Sequence, residues 1–339
     1  MNDHAKQEHT SNIRFHRESK IFDPKDGFAP LIDPLSVTDA TVARHGNQWW
    51  MCAGGKVKGK DGIHLFSASL PHGAPLSATG WTLTPDANNT TRVEILAGYD
   101  NSRLWDLQGG RHCPCYVKGW DPRRNVWVER IYYAGAADHF WGPYTIGYLE
   151  WDGSRWVDQP TPVFLANQNW EHGSVYEPNV IYFEGKWKMW YVAGSNQKDH
   201  IVQGFAESED GHSDWSQHTV FIPETEKVFD FCVFPGRQGF EAVFSRVWFG
   251  RGAPPSRSGL WWCSAKGPYS DFTRWSEPVQ IMTADDRGWH TGPWKPSAQH
   301  ADSDLSRIFV FFDGMCQTEG PAAFPYAFTL GCLEIDRPV

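Results

Sequence analysis

The 339-residue sequence lacks the features of a membrane protein or a nucleic-acid-binding protein. No apolar run approaches the roughly 18 residues that a spanning helix needs. No cluster of lysine and arginine suggests a nucleic-acid surface, and the net charge of −9 mainly favours solubility. Residues 1–12 are polar and contain no apolar signal-peptide core, so we expect a short disordered tail and a cytoplasmic protein. Neither a membrane nor a nucleic acid is an expected partner.

Helical periodicity is also scarce, whereas strand patterns with turn signals recur from residue 38 to the end. The chain contains 32 glycines and 23 prolines, which suits an all-β protein with many turns. It also contains 19 tryptophans. Most of these rings are expected in the core, and the others could form surfaces on which sugar rings stack.

The seven cysteines, an odd number, suggest a reducing compartment rather than a disulfide framework. Four of them occur in apolar strand-like runs, where cysteine acts as a small buried hydrophobe: Cys52, Cys232, Cys263 and Cys332. Cys113 and Cys115 flank a proline and could form a metal-binding pair, but two cysteines alone do not define a site. No metal and no cofactor are expected.

One phrase occurs twice in the sequence. Residues 39–54 and 177–194 each contain a carboxylate, a short apolar strand, a glycine turn and an aromatic strand that ends in Ala-Gly. Similar groups of strands begin near residues 39, 112, 177, 230 and 295. Five units of about four antiparallel strands predict an all-β fold, a single five-bladed β-propeller over residues 13–339.

The last unit shows only three strands before the sequence ends. We expect residues 13–22 to supply its fourth strand, because that pairing would join the two ends of the chain and remove an open sheet edge. A β-sandwich with a small second domain is the alternative architecture, and the repeated phrase argues against it.

Three units begin their innermost strand with a carboxylate: Asp39, Glu177 and Asp230. The innermost strands of a propeller line its axis, so these acids should converge near the mouth of the central funnel. Converging carboxylates repel one another, and one pKa should rise until that acid holds a proton near neutral pH. A protonated acid beside an ionised base is what glycoside hydrolysis requires. The alternative is that each acid caps its own strand or a loop.

The phrases around Asp39 and Glu177 resemble blades of the five-bladed propeller glycosidases of family 43, with relatives in families 32, 62, 117 and 130. The resemblance implies inverting or retaining hydrolysis of a small oligosaccharide or glycoside in the funnel, and of the two we expect inversion. By position it implies that Asp39 is the base, Glu177 tunes the proton donor and Asp230 is the general acid. The family has Glu where this chain has the shorter Asp230, and Glu171 is a candidate substitute acid.

Blades two and five depart further from the family pattern. Lys295 stands where the family often has a histidine near an axial metal or water, and an ammonium there could replace a cation, so no axial calcium is expected. A lysine on a surface loop is the alternative. His112 replaces the acid of blade two and could orient a substrate hydroxyl or transfer a proton. Arg246 and Arg251 could bind a carboxylate or a phosphate. A phosphate cluster of Arg111, His112, Arg246 and Lys295 is also conceivable, although nothing in the sequence shows that these residues meet.

The loops before three innermost strands repeat a tryptophan followed by a polar residue. The residues concerned are Trp105, Trp170 with Glu171, and Trp289 with His290. These rings either cap their blades or form a platform for sugar at the funnel rim. Two other functional classes stay open, a sugar-binding propeller without catalysis and a non-hydrolytic enzyme such as a phosphorylase or lyase. In each case the expected partner is a small carbohydrate, and the oligomeric state is not predicted.

Overall fold

A computed structural model describes residues 14–26, 36–97, 105–106, 110–137, 142–195, 200–216, 218–246, 258–284, 288–290, 292–301, 303, 305–315 and 328–336. Five sheets of four antiparallel strands form a five-bladed propeller, which confirms the predicted fold class. The helical segments of the described residues are short 3-10 turns. None of them is long and apolar enough to cross a membrane.

The blades follow one another along the chain. From the axis outward, blade one contains β2 (Thr38–His45), β3 (Gln48–Gly55), β4 (His64–Ser69) and β5 (Thr82–Leu83). A hairpin of β6 (Pro85–Asp86) and β7 (Asn89–Val93) follows it. In the same direction, blade two contains β8 (Gly110–Asp121), β9 (Val126–Ala136), β10 (Tyr144–Trp151) and β11 (Trp156–Asp158).

The other three blades are built in the same way, from the axis outward. Blade three contains β12 (Val175–Phe183), β13 (Lys186–Ser195), β14 (His200–Ser208) and β15 (Thr219–Ile222). Blade four contains β16 (Val228–Gly236), β17 (Gly239–Arg246), β18 (Gly259–Ala265) and β19 (Val279–Thr283). Blade five contains β20 (Pro293–His300), β21 (Arg307–Met315), β22 (Phe328–Asp336) and β1 (Arg14–Phe22). All five innermost strands begin within two residues of the predicted starts.

The first strand of the chain closes the last blade. β1 pairs antiparallel with β22 in a register that runs from Arg14 opposite Asp336 to Phe22 opposite Leu330. The prediction that residues 13–22 complete blade five is therefore confirmed for residues 14–22. The two ends of the described chain meet in one sheet, so β22 is not left as an open edge.

The space between the blades is filled by aromatic and aliphatic side chains. Trp187, Trp190 and Tyr132 are fully buried, which agrees with the expectation that most rings belong to the core. Cys52, Cys232, Cys263 and Cys332 are also buried and unpaired, as their apolar strand contexts predicted.

Every innermost strand carries an irregularity at the same place, where two of its residues lie opposite one residue of the second strand. These pairs are Asp39–Ala40, Cys113–Pro114, Glu177–Pro178, Phe229–Asp230 and Lys295–Pro296. In four blades the first residue of the pair has a left-handed backbone, with φ between 50° and 56°. Such bulges re-aim side chains, and a left-handed backbone at a residue other than glycine is often found at functional sites.

Candidate active site

The structure brings Asp39, Glu177 and Asp230 together at the propeller axis. With Cys113 and Lys295 they form a group that we call the axial cluster, and all five residues are less than one-tenth exposed. Asp39 and Glu177 each come first in the bulge of their strand, whereas Asp230 comes second in blade four. The three acids therefore converge as predicted, but Asp230 lies one position further along its strand than the other two.

Lys295 lies on the axis and not on a surface loop. Its Nζ forms an ion pair with Glu177 Oε2, and its backbone N–H donates to Asp230 Oδ2 at 2.9 Å. Burial lowers the pKa of Lys295, but the Glu177 carboxylate and the other acidic groups around the ammonium outweigh that effect and hold the pKa well above its ordinary value. One lysine thus joins blades three, four and five through its side chain and backbone.

Asp230 has the surroundings of a carboxyl group that keeps its proton. It is 2% exposed, and Oδ2 accepts hydrogen bonds from Ser245 and from the backbone of Lys295. Oδ1 is buried and has no hydrogen-bond partner within the described part of the chain. Burial raises the pKa of Asp230 well above its usual range, and the negative charge of Glu177 raises it further.

A fourth carboxyl group, Asp313 on β21, supports Asp39. The backbone N–H of Asp39 lies 2.9 Å from both oxygens of Asp313, and the hydroxyl of Thr38 also donates to Oδ2. The Asp39 side chain accepts a hydrogen bond from the backbone N–H of Cys113 at 3.2 Å, and its Oδ1 lies 3.2 Å from Thr38 Oγ1, whose one proton it shares with Asp313. These contacts hold the left-handed backbone of Asp39 and orient its carboxylate toward blade two.

The axial cluster and Asp313 together place four carboxyl groups around one ammonium group. If all four were ionised, a net charge of −3 would be buried in a region of low polarity, at a large free-energy cost. Burial raises the pKa values of Glu177 and Asp313, and the Lys295 ammonium opposes the rise at Glu177. Asp230 and Asp313 show the stronger rise among the acids, so they are the groups that retain protons most readily.

Cys113 takes the place of an acid in blade two. Its thiol lies 3.6 Å from Asp39 Oδ2, and burial raises its pKa well above the ordinary value. One ligand atom each from Asp39, Cys113 and Glu177 lies within 4.8 Å of the others, so these residues could hold a metal ion. The Lys295 ammonium contacts the same Glu177 carboxylate. Cys115 instead contacts the backbone of Val180, so the two cysteines do not act as a pair.

The three repeated tryptophans pack against rings of their own blades. Trp105 stacks on Tyr133 with ring centroids 5.5 Å apart and Trp170 on Tyr191 at 6.2 Å, whereas Trp289 packs at a tilt against Phe312 at 6.0 Å. Tyr133, Tyr191 and Phe312 are the residues of the second strands that lie opposite the bulges. This arrangement favours blade capping over the sugar platform that we considered for these rings.

The polar residue after each tryptophan is held by its own side-chain contacts. Asp106 accepts hydrogen bonds from Tyr133 and Arg111, both at 2.9 Å. Glu171 accepts hydrogen bonds from Tyr191 and His218 and from two backbone N–H groups, all near blade three. His290 Nε2 contacts Glu18 on β1 at 3.0 Å. The contacts of Glu171 hold it within its own blade, so the structure does not bring it into the axial cluster as a substitute acid.

The other residues predicted to bind substrate are not part of the axial cluster. His112 precedes Cys113 and is buried, with its ring edge-on to Tyr144. Arg111 forms ion pairs with Asp106 and Asp158, and Arg246 pairs with Glu226 and lies over Trp261. The structure therefore does not assemble these arginines into an axial anion site. Arg251 lies outside the described residues.

Sequence reasoning missed three residues of the site. Asp313 and Ser245 lie on second strands, outside the carboxylate pattern that repeats at the starts of the innermost strands. Cys113 was noted only as part of a cysteine pair. The sequence does contain a pattern that marks Cys113 as an axial residue. Proline directly follows the axial residue in Cys113–Pro114, Glu177–Pro178 and Lys295–Pro296.

Solved glycoside hydrolases share this fold. An α-L-arabinofuranosidase from Podospora anserina in complex with cellotriose is 13% identical, with a TM-score of 0.58 over 96% of this chain and 98% of that one. A family 117 glycoside hydrolase from the marine bacterium Zobellia galactanivorans is 14% identical, with a TM-score of 0.60 over 96% and 90%. A thermostable family-43 glycoside hydrolase is 12% identical, with a TM-score of 0.59 over 92% and 96%.

No protein-family model matches the sequence. No curated protein matches it either. The structural likeness confirms that the chain has the five-bladed propeller of the family 43 type, as its strand motifs suggested. At identities of 12% to 14% the likeness concerns the fold, and the chemistry has to be argued from the axial cluster itself.

Proposed function

We propose that this protein is a glycoside hydrolase that cleaves a small oligosaccharide or glycoside in the central funnel. The observation that carries the proposal is the buried cluster in which Asp230, an acid with a carboxyl oxygen unpartnered among the described residues, lies beside other carboxyl groups. Burial raises the pKa of Asp230 well above its usual range, and Oδ1 of this residue has no partner within the described chain. The propeller hydrolases with the same fold support the same conclusion.

In this mechanism Asp230 donates its proton from Oδ1 to the leaving glycosidic oxygen. Ser245 and the backbone of Lys295 hold Oδ2, so the carboxyl group keeps its orientation during proton transfer. Asp39 acts as the base that takes a proton from water. Its orientation comes from Thr38 and Cys113, and its backbone is held by Asp313.

Glu177 tunes the proton donor through its charge. A negative Glu177 beside Asp230 raises the pKa of Asp230, and the Lys295 ammonium limits that rise. This balance favours the protonated form of Asp230 that a general acid needs. Inversion, in which water attacks from the face opposite the leaving group, is the expected stereochemical outcome, and NMR of the first anomer formed would test it.

The decisive experiment measures turnover of aryl glycosides and neutral oligosaccharides by Asp230→Asn and Asp39→Asn. Each variant should lose about 10²- to 10⁴-fold in kcat, the usual contribution of a general acid or base. Glu209→Gln is the matched control, because Glu209 is an exposed acid whose side chain is 71% accessible. Full activity in both axial variants on an accepted substrate would exclude these roles.

A second candidate, sugar binding without catalysis, is favoured by one observation. Glu177 is already engaged in an ion pair with Lys295, which is an arrangement that can be purely structural. Calorimetric binding of an oligosaccharide with no turnover of any glycoside would support it. A phosphorylase is less well supported, because Arg111 and Arg246 are engaged by Asp106, Asp158 and Glu226 instead of forming a phosphate site.

A cytoplasmic location is part of the proposal. Six described cysteines are buried and unpaired, which is the usual state of cysteine in a reducing compartment. Fractionation of the producing cell tests this directly, and recovery of the protein outside the cytoplasm would contradict it.

A further inference from the structure

A cleft between blades one and two lies far from the axial cluster. Asp39 and His45 lie near opposite ends of β2, six residues apart, which corresponds to about 20 Å of strand. His45 borders this cleft, whereas none of the axial cluster does. The cleft has a volume of about 760 Å³, within the usual range of small-molecule sites.

Aromatic rings form one wall of the cleft. Trp50 stacks on Trp156 at 5.6 Å between centroids, and Trp151 packs against Trp156 at 5.4 Å. Trp151 is half-buried, whereas Trp50 and Trp156 are buried. The two buried rings are held in place by their packing, and Trp151 presents accessible ring surface at the edge of the wall.

A polar group is held in place within this aromatic wall. His45 lies edge-on to Trp151 at 4.8 Å, and its Nδ1 contacts Glu129 Oε2 at 2.9 Å. Tyr116 donates a hydrogen bond to the same carboxylate oxygen at 2.8 Å. Since Glu129 engages Nδ1, Nε2 is left as the second hydrogen-bonding atom of the ring, and it forms no hydrogen bond within the described part of the chain.

The other residues that line the cleft indicate which kind of ligand it could bind. Gln48, Ser69 and Thr84 contribute an amide and two hydroxyl groups, which match the hydroxyl groups of a sugar. The carboxylates of Glu94 and Asp158 and the guanidinium of Arg155 also border the cleft, and Asp158 is paired with Arg111, so the lining carries both signs of charge and does not favour a charged ligand. An uncharged ligand with one apolar face and several hydroxyl groups fits this combination.

We propose that the cleft between blades one and two is a second, non-catalytic binding site for a neutral saccharide. A sugar ring would stack against Trp151 and exchange hydrogen bonds with His45 Nε2 and the hydroxyl of Ser69. The proposal does not depend on catalysis at the axial cluster, because the two regions share no lining residue.

The test uses the full chain with Asp39→Asn, so that no probe is consumed. Cellotriose and xylotriose serve as neutral probes and trigalacturonate as the anionic probe. Hydrogen exchange read by mass spectrometry gives the location, and calorimetry gives the affinity. Bound neutral probes should slow exchange in residues 45–50 and 151–158, and should do so more strongly than trigalacturonate.

Two variants test the cleft in that background. Trp151→Ala removes the stacking surface and should weaken neutral-probe binding at this site about tenfold. Ser69→Phe keeps the wall but fills the cleft and should abolish the local protection. Trp127→Ala is the control, because Trp127 is 59% exposed and lies outside the cleft. Melting temperatures establish that each variant is folded.

Protection of both segments that disappears in Ser69→Phe and persists in Trp127→Ala would support the site. The proposal is overturned if neither neutral probe protects these segments, or if both cleft variants bind as well as the parent. Protection confined to segments near the axis would also overturn it while leaving the proposed hydrolase intact. Loss of hydrolysis in the axial variants is measured separately, so the two proposals can fail independently.

Discussion

Replacing Lys295 with methionine tests how strongly the axial cluster depends on one buried cation. Methionine keeps much of the side-chain volume but removes the ammonium that pairs with Glu177. Lys295 and Glu177 are only 9% and 7% exposed, and breaking a buried ion pair costs about 3–5 kcal/mol. We therefore expect the free energy of unfolding in urea at pH 7 to fall by about 3 kcal/mol.

The loss should depend on pH in a defined direction. Burial already raises the pKa of Glu177, and without the ammonium the charge of Asp39 raises it further. A carboxyl group whose pKa is higher in the folded state stabilises the fold at low pH, and that stability is lost as the pH rises through the folded pKa. The difference between Lys295→Met and the parent should therefore be smaller at pH 5 than at pH 8.

A matched control separates this effect from the loss of any surface charge. Lys186 is 47% exposed and lies near Glu207 and Glu209, so Lys186→Met should cost less than about 1 kcal/mol at either pH. The same variants can be assayed for hydrolysis, where Lys295→Met should also shift the pH profile of kcat. Equal urea midpoints for Lys295→Met and the parent at both pH values would refute the buried ion pair.

Three further outcomes follow from contacts described above. In steady-state kinetics, Asp313→Ala should lower kcat more than it raises KM, because the backbone N–H of Asp39 loses its acceptor. Asp313→Asn retains one acceptor oxygen and should keep most of the activity. Gly147→Ala should lower stability by about 1–3 kcal/mol in thermal denaturation, because the new Cβ would lie 2.3 Å from the Trp105 ring; unchanged melting would contradict the capping role. Glu171→Gln should leave kcat intact. Burial raises the pKa of Glu171, but hydrogen bonds from His218 and Tyr191 outweigh burial and lower it. The ionised Glu171 therefore stabilises the fold above pH 4.5, and this stabilisation is lost as the pH falls. Urea unfolding at pH 7 and pH 3 tests that sign, and a large loss of kcat would restore Glu171 as a candidate acid.

Much of the fold was predictable because each blade repeats a local pattern. Alternating apolar residues and glycine turns marked the strands, and the five innermost strands begin close to residues 39, 112, 177, 230 and 295. The outer strands were harder to predict, because β5 has only two residues and β11 only three. Strands of that length carry no periodicity and exist only because a neighbouring strand offers free backbone groups.

The site was predictable in part for a related reason. Asp39 and Glu177 stand at equivalent places in the repeated phrase, so their convergence followed from the architecture. The offset of Asp230 did not, because the bulge in blade four is visible only in the pairing of Val228 and Phe231 with β17. The partner of Asp39 was also hidden, since Asp313 is 274 residues away and lies on a different blade.

The pairing of β1 with β22 also affects how the protein is made. Phe22 ends β1 and Phe328 begins β22, so about 300 residues separate two strands that must become neighbours. At typical rates of synthesis β1 waits roughly 15 to 60 seconds before its partner leaves the ribosome. During that time the backbone groups of β1 have no neighbouring strand to bond. Blades one to four can form in this interval, whereas blade five cannot. Misassembly during synthesis should therefore involve exchange of this strand between nascent chains.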